Sequence, residues 1–308
     1  MKYAKIVLIN VCLIVILLII IDFVWFEVEK KRYIQMYENS GGFFKSSQVV
    51  HYDDYVIPSL IQFKRDWQVI DKNNKENAIL LTGCSYTYGS NLLPTQNFSY
   101  YLAKETGLTV YNWGIEGGSI QHTLYLSQQK DFIKDFPNVN LIIYTFIGDH
   151  INRINEFLKC EIYCPYCNLR MEEKNGKYVK MSEWYRIPSG IFLFRMFLKL
   201  ITDIKNSKIF FEHNSTKFAK MVNQTKKNLQ SYYPDAKFVF LFYFPGENKE
   251  WINKLDKDIL VMSTSDYTKV DLSAPQYRHN LDTHPTELVW KDTVPDLVRK
   301  LKEIGYLK

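Results

Sequence analysis

Apolar positions along this chain follow three different patterns. Residues 6–21 are an almost unbroken run of Ile, Leu and Val, interrupted only by Asn10 and Cys12. The run approaches the roughly 20 residues that cross a bilayer as a helix. Trp25 and Phe26 follow where an interfacial aromatic belt would lie. No polar face recurs at helical spacing, which argues against a buried core helix. No small-x-small cleavage site follows either, so residues 1–26 are expected to be an uncleaved transmembrane anchor. Residues 27–75 are more polar, rich in Lys, Tyr and Gln, and read as a juxtamembrane region.

From residue 77 short apolar runs alternate with helical patterns. Strands are predicted over 78–81, 109–112, 139–146, 237–244 and, more weakly, 258–262. Helices are predicted over 98–106, 119–132 and about 287–304, the last carrying Pro295, which should kink its early part. Buried strands alternating with helices imply a mostly parallel sheet covered on both faces, a three-layer α/β/α domain over 76–308. Residues 155–235 break the rhythm. They combine a β-rich excursion with a turn at 174–176 and two helical stretches, 191–204 and 216–230. This region is expected to be an insertion above the sheet that lines or covers a site.

Composition narrows the class. Of the 308 residues, 46% are hydrophobic and 16% aromatic, enough for a full core, and the 23% charged fraction argues against disorder. The net charge of +6 lies partly in short clusters such as Lys30-Lys31-Arg32, with no long basic stripe interleaved with aromatics, so no nucleic-acid partner is expected. Lys2 and Lys5 nearly balance that cluster across the apolar run. The basic start favours a cytoplasmic N-terminus and an extracytoplasmic domain on a single-pass membrane protein.

Candidate chemistry lies at two distant places. Ser85 sits in Gly83-Cys84-Ser85-Tyr86-Thr87-Tyr88-Gly89, directly after the first buried strand. A strand-to-helix turn exposes such a hydroxyl at the sheet's carboxyl end, beside backbone N–H groups that attract an anion. Far downstream comes Asp282-Thr283-His284-Pro285. An imidazole activates a serine by taking its proton, and a carboxylate holds the imidazole in the right tautomer. The other reading of each segment is a helix cap, at Ser85 and before the last helix. The α/β-hydrolase pattern does not fit, because Thr87 stands where its second glycine would be.

These motifs together resemble the SGNH family, also called GDSL-type hydrolases. Residues 83–89 look like its first block, with Cys84 in place of the usual acidic residue. Asn112-Trp113-Gly114 looks like its second, and Asp282-Thr283-His284-Pro285 like its last. The resemblance implies a flavodoxin-like sheet, Ser85 as nucleophile, His284 as base, Asp282 as its orienter, and an oxyanion hole built from the N–H groups of Ser85 and Gly114. The third block departs. Where the family has an asparagine that donates to the oxyanion, this chain reads Gly148-Asp149-His150-Ile151-Asn152. Asp149 falls close to that place, and its carboxylate would repel a developing oxyanion. One lost donor costs about 3 kcal/mol. His150 or Asn152 is the alternative donor, or Asp149 orients His150.

The resemblance implies a serine esterase acting through an acyl-enzyme, without a cofactor, on a carbohydrate- or lipid-linked ester at the cell envelope. An O-acyltransferase uses the same residues. A catalytically silent protein that binds a glycan or a partner is the reading from a different class. The spacing Cys160-x3-Cys164-x2-Cys167 suits one disulfide at least as well as zinc, because no fourth ligand follows close behind, and no metal is expected. Cys84 reads as a packed small residue, and His122 as a surface residue at a helix start.

Overall fold

The computed structural model describes residues 77–115, 117–134, 136–154, 170–180, 207–244, 250–279 and 284–308, with 49–52, 55–58 and the scattered positions 10, 13–18, 20, 21, 24, 200 and 204. Five strands form its main sheet: β3 (Ala78–Gly83), β4 (Thr109–Gly114), β5 (Val139–Phe146), β8 (Lys237–Phe242) and β9 (Leu260–Ser263). They lie in the order β4-β3-β5-β8-β9, and every pair is parallel. This is the flavodoxin-like order expected from the sequence. Two antiparallel hairpins stand apart from it. One joins β1 (Val49–Tyr52) to β2 (Tyr55–Pro58), and the other joins β6 (Met171–Lys174) to β7 (Lys177–Lys180).

Both faces of the sheet are buried, so its strands carry apolar side chains at consecutive positions. In β8, Phe238, Phe240 and Phe242 enter one core, while Val239 and Leu241 enter the other. The first core is covered by α3 (Ile120–Leu126) and the 23-residue α6 (Lys208–Gln230). The second is covered by α2 (Phe98–Thr106) and α7 (Glu287–Glu303). Phe218 of α6 lies among Tyr144, Phe146, Phe240 and Trp251, with ring centroids 5.3–6.3 Å apart. Such aromatic pairs add about 0.5–1.5 kcal/mol each beyond their burial.

Helix α6 corrects the expected domain organisation. It belongs to the layer that connects β5 to β8, not to an insertion above the sheet. The pattern predicts the helical stretch from residue 216, across the polar Asn214-Ser215-Thr216. The helix runs through these residues from Lys208, and Asn214 and Ser215 are buried. Packing of its apolar face outweighs the weak local propensity. The turn expected at 174–176 is present between β6 and β7, where Asn175 and Gly176 have φ of 51° and 72°. The rest of residues 155–206, apart from 170–180, 200 and 204, lies outside the described residues. Pro295 lies inside α7, which runs unbroken to Glu303.

Residues 10, 13–18, 20, 21 and 24 are helical, and Leu13, Ile14, Ile16, Leu17, Ile20 and Ile21 are exposed. Among the described residues no helix is long and apolar enough to cross a membrane. The remainder of the anchor expected at 1–26, and most of 27–75, lie outside the described residues.

Candidate active site

All five strands end at one edge of the sheet. The strand order reverses next to β3, and the crevice at such a reversal is where open α/β sheets hold ligands. Ser85 lies there. Strand β3 ends at Gly83, Cys84 is the extended cap, and Ser85–Tyr88 form the short helix α1. The turn needs glycine at three places. A Cβ on Gly83 would overlap the Thr87 hydroxyl and approach the Thr145 carbonyl to 2.8 Å. Gly89 closes α1 in the left-handed region, φ 88°, donating its N–H to the Ser85 carbonyl at 2.9 Å. Gly114, at the end of β4, lies flush against α1, where a Cβ would overlap the Tyr88 amide and come within 2.7 Å of the Thr87 carbonyl carbon.

His284 arrives from the other end of the domain. Its Nε2 is 2.8 Å from Ser85 Oγ, across 199 positions of sequence. A two-armed clasp holds it in place. Arg278 and Pro285 form an antiparallel bridge, His279 donates its N–H to the His284 carbonyl at 2.9 Å, and Thr286 donates its N–H to the Tyr277 carbonyl at 3.2 Å. Thr286 then caps α7. Asp282 lies outside the described residues. The His284 ring also rests 5.2 Å from the Tyr86 ring, tilted by 43°. Ser85 is buried and His284 half-buried, so the pair is shielded but reachable.

Serine and histidine at this separation can pass a proton from Oγ to the ring, the step that makes a serine nucleophilic. The N–H of Ser85 opens α1 and therefore has no intrahelical acceptor.

The expected partner of that N–H is corrected. Gly114 donates its N–H to its near neighbour, the Asn112 side-chain oxygen, at 2.8 Å. Asn112 is buried, and its amide donates to the Thr87 carbonyl at 2.8 Å and to Ser99 Oγ at 3.2 Å. Asn112 therefore ties β4 to α1 and α2, and the Gly114 N–H is committed to that tie, not to an oxyanion.

The turn after β5 carries α5 (Asp149–Arg153). Asp149 is exposed and pairs with Arg153 at 3.7 Å. His150 is wholly buried, with Nδ1 2.8 Å from the Tyr144 hydroxyl and its ring 5.6 Å from Phe146. It faces the core on the α3 and α6 side, so it is not an oxyanion donor, and Asp149 does not orient it. Burial, reinforced by the Arg153 charge and then by His122, pushes its pKa well below the ordinary 6.5, so the ring is neutral. Asn152 is half-buried; its carbonyl accepts the Ile154 N–H, and its side chain makes no hydrogen bond among the described residues.

No family model and no curated protein matches this sequence. Solved structures resemble it in part. They include an acetyl xylan esterase from the rumen bacterium Butyrivibrio proteoclasticus, at 13% identity and TM-score 0.43, over 75% of this chain and 65% of that one. A lipase from a goat rumen metagenome gives 12% and 0.47, over 75% and 98%. A member of the lipolytic protein G-D-S-L family from Veillonella parvula gives 11% and 0.40, over 74% and 98%. The chain thus spans slightly less than two thirds of the acetyl xylan esterase. All three scores lie below 0.5, so the reading of the site rests on its own geometry.

Several neighbours of Ser85 were not foreseen from sequence. Tyr86 meets Tyr243 edge-on at 4.9 Å and Phe244 at 5.9 Å, and the Arg278 guanidinium lies 5.4 Å over the Phe244 ring. Tyr243 and Phe244 directly follow β8. In a parallel sheet the residues just after each strand reach the same edge, and that rule would have found them. His122 is buried, not on the surface, and its Nδ1 accepts the Ser119 N–H at 3.2 Å. Cys84 is buried and not in a disulfide, packed in the core as a small residue. Cys160, Cys164 and Cys167 lie outside the described residues, as does the question of a metal there. Among the described residues no cluster of His, Cys, Asp and Glu is arranged to hold a metal ion.

Proposed function

We propose that this protein is a serine esterase of the SGNH type. The observation that carries the reading is the 2.8 Å contact between Ser85 Oγ and His284 Nε2 at the carboxyl edge of a parallel sheet. Ser85 Oγ bonds to the ester carbonyl carbon as its proton passes to His284 Nε2. The oxyanion that forms accepts the Ser85 N–H. The carbon–oxygen bond to the alcohol then breaks, and His284 returns the proton to the leaving oxygen. Water repeats the sequence on the acyl-enzyme and frees the acid. Asp282, two residues from His284, orients the ring. With the Gly114 N–H committed to Asn112, the amide of Asn152 is the remaining candidate among the third-turn residues for a further oxyanion donor.

The substrate is an ester on a carbohydrate or lipid at the cell envelope. Residues 1–26 anchor the chain in the membrane, with the catalytic domain outside the cytoplasm. The apolar run and its aromatic flank support this location. Transfer of the acyl group to a sugar hydroxyl uses the same residues and differs only in what resolves the acyl-enzyme.

A silent binding protein is the second reading, favoured by the committed Gly114 N–H and by the inward turn of His150. A fluorophosphonate probe separates the two. The esterase reading expects covalent label on the full-length protein and none on Ser85→Ala. A well-folded parent protein that stays unlabelled and cleaves no p-nitrophenyl acetate points to the binding protein. Products formed with and without a glycan acceptor distinguish hydrolysis from transfer.

A further inference from the structure

Among the described residues Arg278 is the one cation tied to the wall of the Ser85 site by several contacts, and neither its sequence motif nor the proposed chemistry uses it. Its Nε donates to the Leu272 carbonyl at 3.2 Å, and its guanidinium lies 5.4 Å over the Phe244 ring. Phe244 packs on Tyr86, and Tyr86 on His284. Across the clasp, Arg278 is bridged to Pro285, the residue next to His284. The cation is therefore held on the same arm-and-wall assembly that holds the base.

Among the described residues its charge is answered only at longer range, by the electrostatic pull of Asp271. Among the described residues no carboxylate forms an ion pair with Arg278. The nearby Asp271 is turned to Ser273, whose N–H and hydroxyl it accepts at 2.9 and 2.6 Å. A half-buried guanidinium has lost part of its hydration. The Phe244 ring and the Leu272 carbonyl occupy its face and its Nε; among the described residues nothing is hydrogen-bonded to its terminal N–H groups, a fork that suits a carboxylate or a phosphate. Elsewhere in the domain, cations of comparable or deeper burial are paired: Lys226 with Asp256 and Asp258, and Arg170 with Glu172.

Resting on the esterase reading above, we infer that Arg278 is a specificity residue that binds an anionic group of the substrate, so that the ester is carried on, or next to, a unit bearing a carboxylate or a phosphate. Phe244 is the platform that holds the guanidinium flat. An acidic sugar unit and a phosphorylated one offer the same fork of oxygens, and the test tells them apart.

Three matched esters are compared on the full-length protein at low salt: methyl O-acetyl-galactoside, its uronic acid counterpart and its 6-phosphate. The expected result is a kcat/KM at least about tenfold higher for one or both anionic esters, in line with a charge-assisted hydrogen bond. That preference should shrink at high salt. Arg278→Gln should bring the ratio of anionic to neutral ester near one, and Arg278→Lys should keep only part of it. Which anionic ester gains more identifies carboxylate or phosphate. A wild-type protein without preference overturns the inference even if the variants fail to fold, and so does Arg278→Gln with an undiminished ratio. If no ester is turned over and the fluorophosphonate probe does not label Ser85, the esterase reading fails instead. Calorimetry with trigalacturonate and with inorganic phosphate then decides the anion site alone: binding lost in Arg278→Gln supports it, and no binding to the wild type ends it.

Discussion

Two turns at the same edge of the sheet treat their polar residues in opposite ways. After β3, the glycines at 83 and 89 let the chain turn tightly, and Gly114 lets α1 lie against β4. Ser85 faces His284 as a result. After β5, a turn of similar size exposes Asp149 to solvent and drives His150 into the core, where Tyr144 meets it. One turn brings a hydroxyl to the His284 imidazole, and the other uses an imidazole to satisfy a buried phenol. The difference shows that position at the carboxyl edge is not enough. What counts is whether the local backbone directs the side chain along the edge or back under the sheet.

The largest test of this contrast is on the first turn. His284→Ala should lower esterase turnover by about three orders of magnitude or more, while leaving the thermal midpoint nearly unchanged, because the ring is only half-buried. A variant that keeps most of its rate would show that the contact with Ser85 is structural. On the second turn the effects should reverse. His150→Ala empties a fully buried site and should cost about 2–4 kcal/mol in urea unfolding, with fluorophosphonate labelling of the remaining folded protein retained. Loss of labelling without loss of stability would place His150 in the chemistry after all.

Gly114→Ala should fall between the two. Its Cβ would meet backbone atoms of α1, which cannot step aside, so a destabilisation of about 1–3 kcal/mol is expected together with a lower labelling rate. A stable, fully reactive variant would mean that the close fit of β4 to α1 is incidental to the Ser85 turn.

The smallest effect is pH dependence. His150 is neutral in the folded state, with its pKa below the unfolded value of 6.5. The unfolded chain therefore binds the proton more readily. The stability that His150 contributes is fully present above about pH 6.5 and falls as pH drops toward the folded value. The slope from this group can reach about 1.4 kcal/mol per pH unit. Urea midpoints between pH 7 and 5 should show it, and His150→Asn should flatten that part of the curve. An unchanged slope in the variant would mean that other groups dominate acid unfolding.

Much of the framework could be read from the chain by itself. Short runs of consecutive apolar residues, most of them near a glycine or proline, suit strands buried in a sheet covered on both faces. All five core strands are found at or within two residues of the predicted limits, and Phe98–Thr106 matches its predicted helix. The pairing of Ser85 with His284 was also legible, because each lies at the end of an element whose direction the alternation of strands and helices already implied. Helix α6 was less so. The pattern predicts it only from residue 216, and the preceding turns from Lys208, with Asn214 and Ser215 buried, are visible only in the packed layer.

Only the folded chain decided which polar groups were still available to a ligand. Asn112 and Gly114 are two residues apart, and nothing in their order says that the amide side chain curls back to take the strand-end N–H. α5 is too short for periodicity to tell whether Asp149 or His150 faces inward. Arg278 lies in a stretch without a motif, and its place over Phe244 follows from the meeting of the segments after the neighbouring strands β8 and β9. A hydrophobic pattern constrains elements because burial is additive and non-directional. Hydrogen bonds and charges at a site depend on direction and on what else is in reach, and those are properties of the assembled structure.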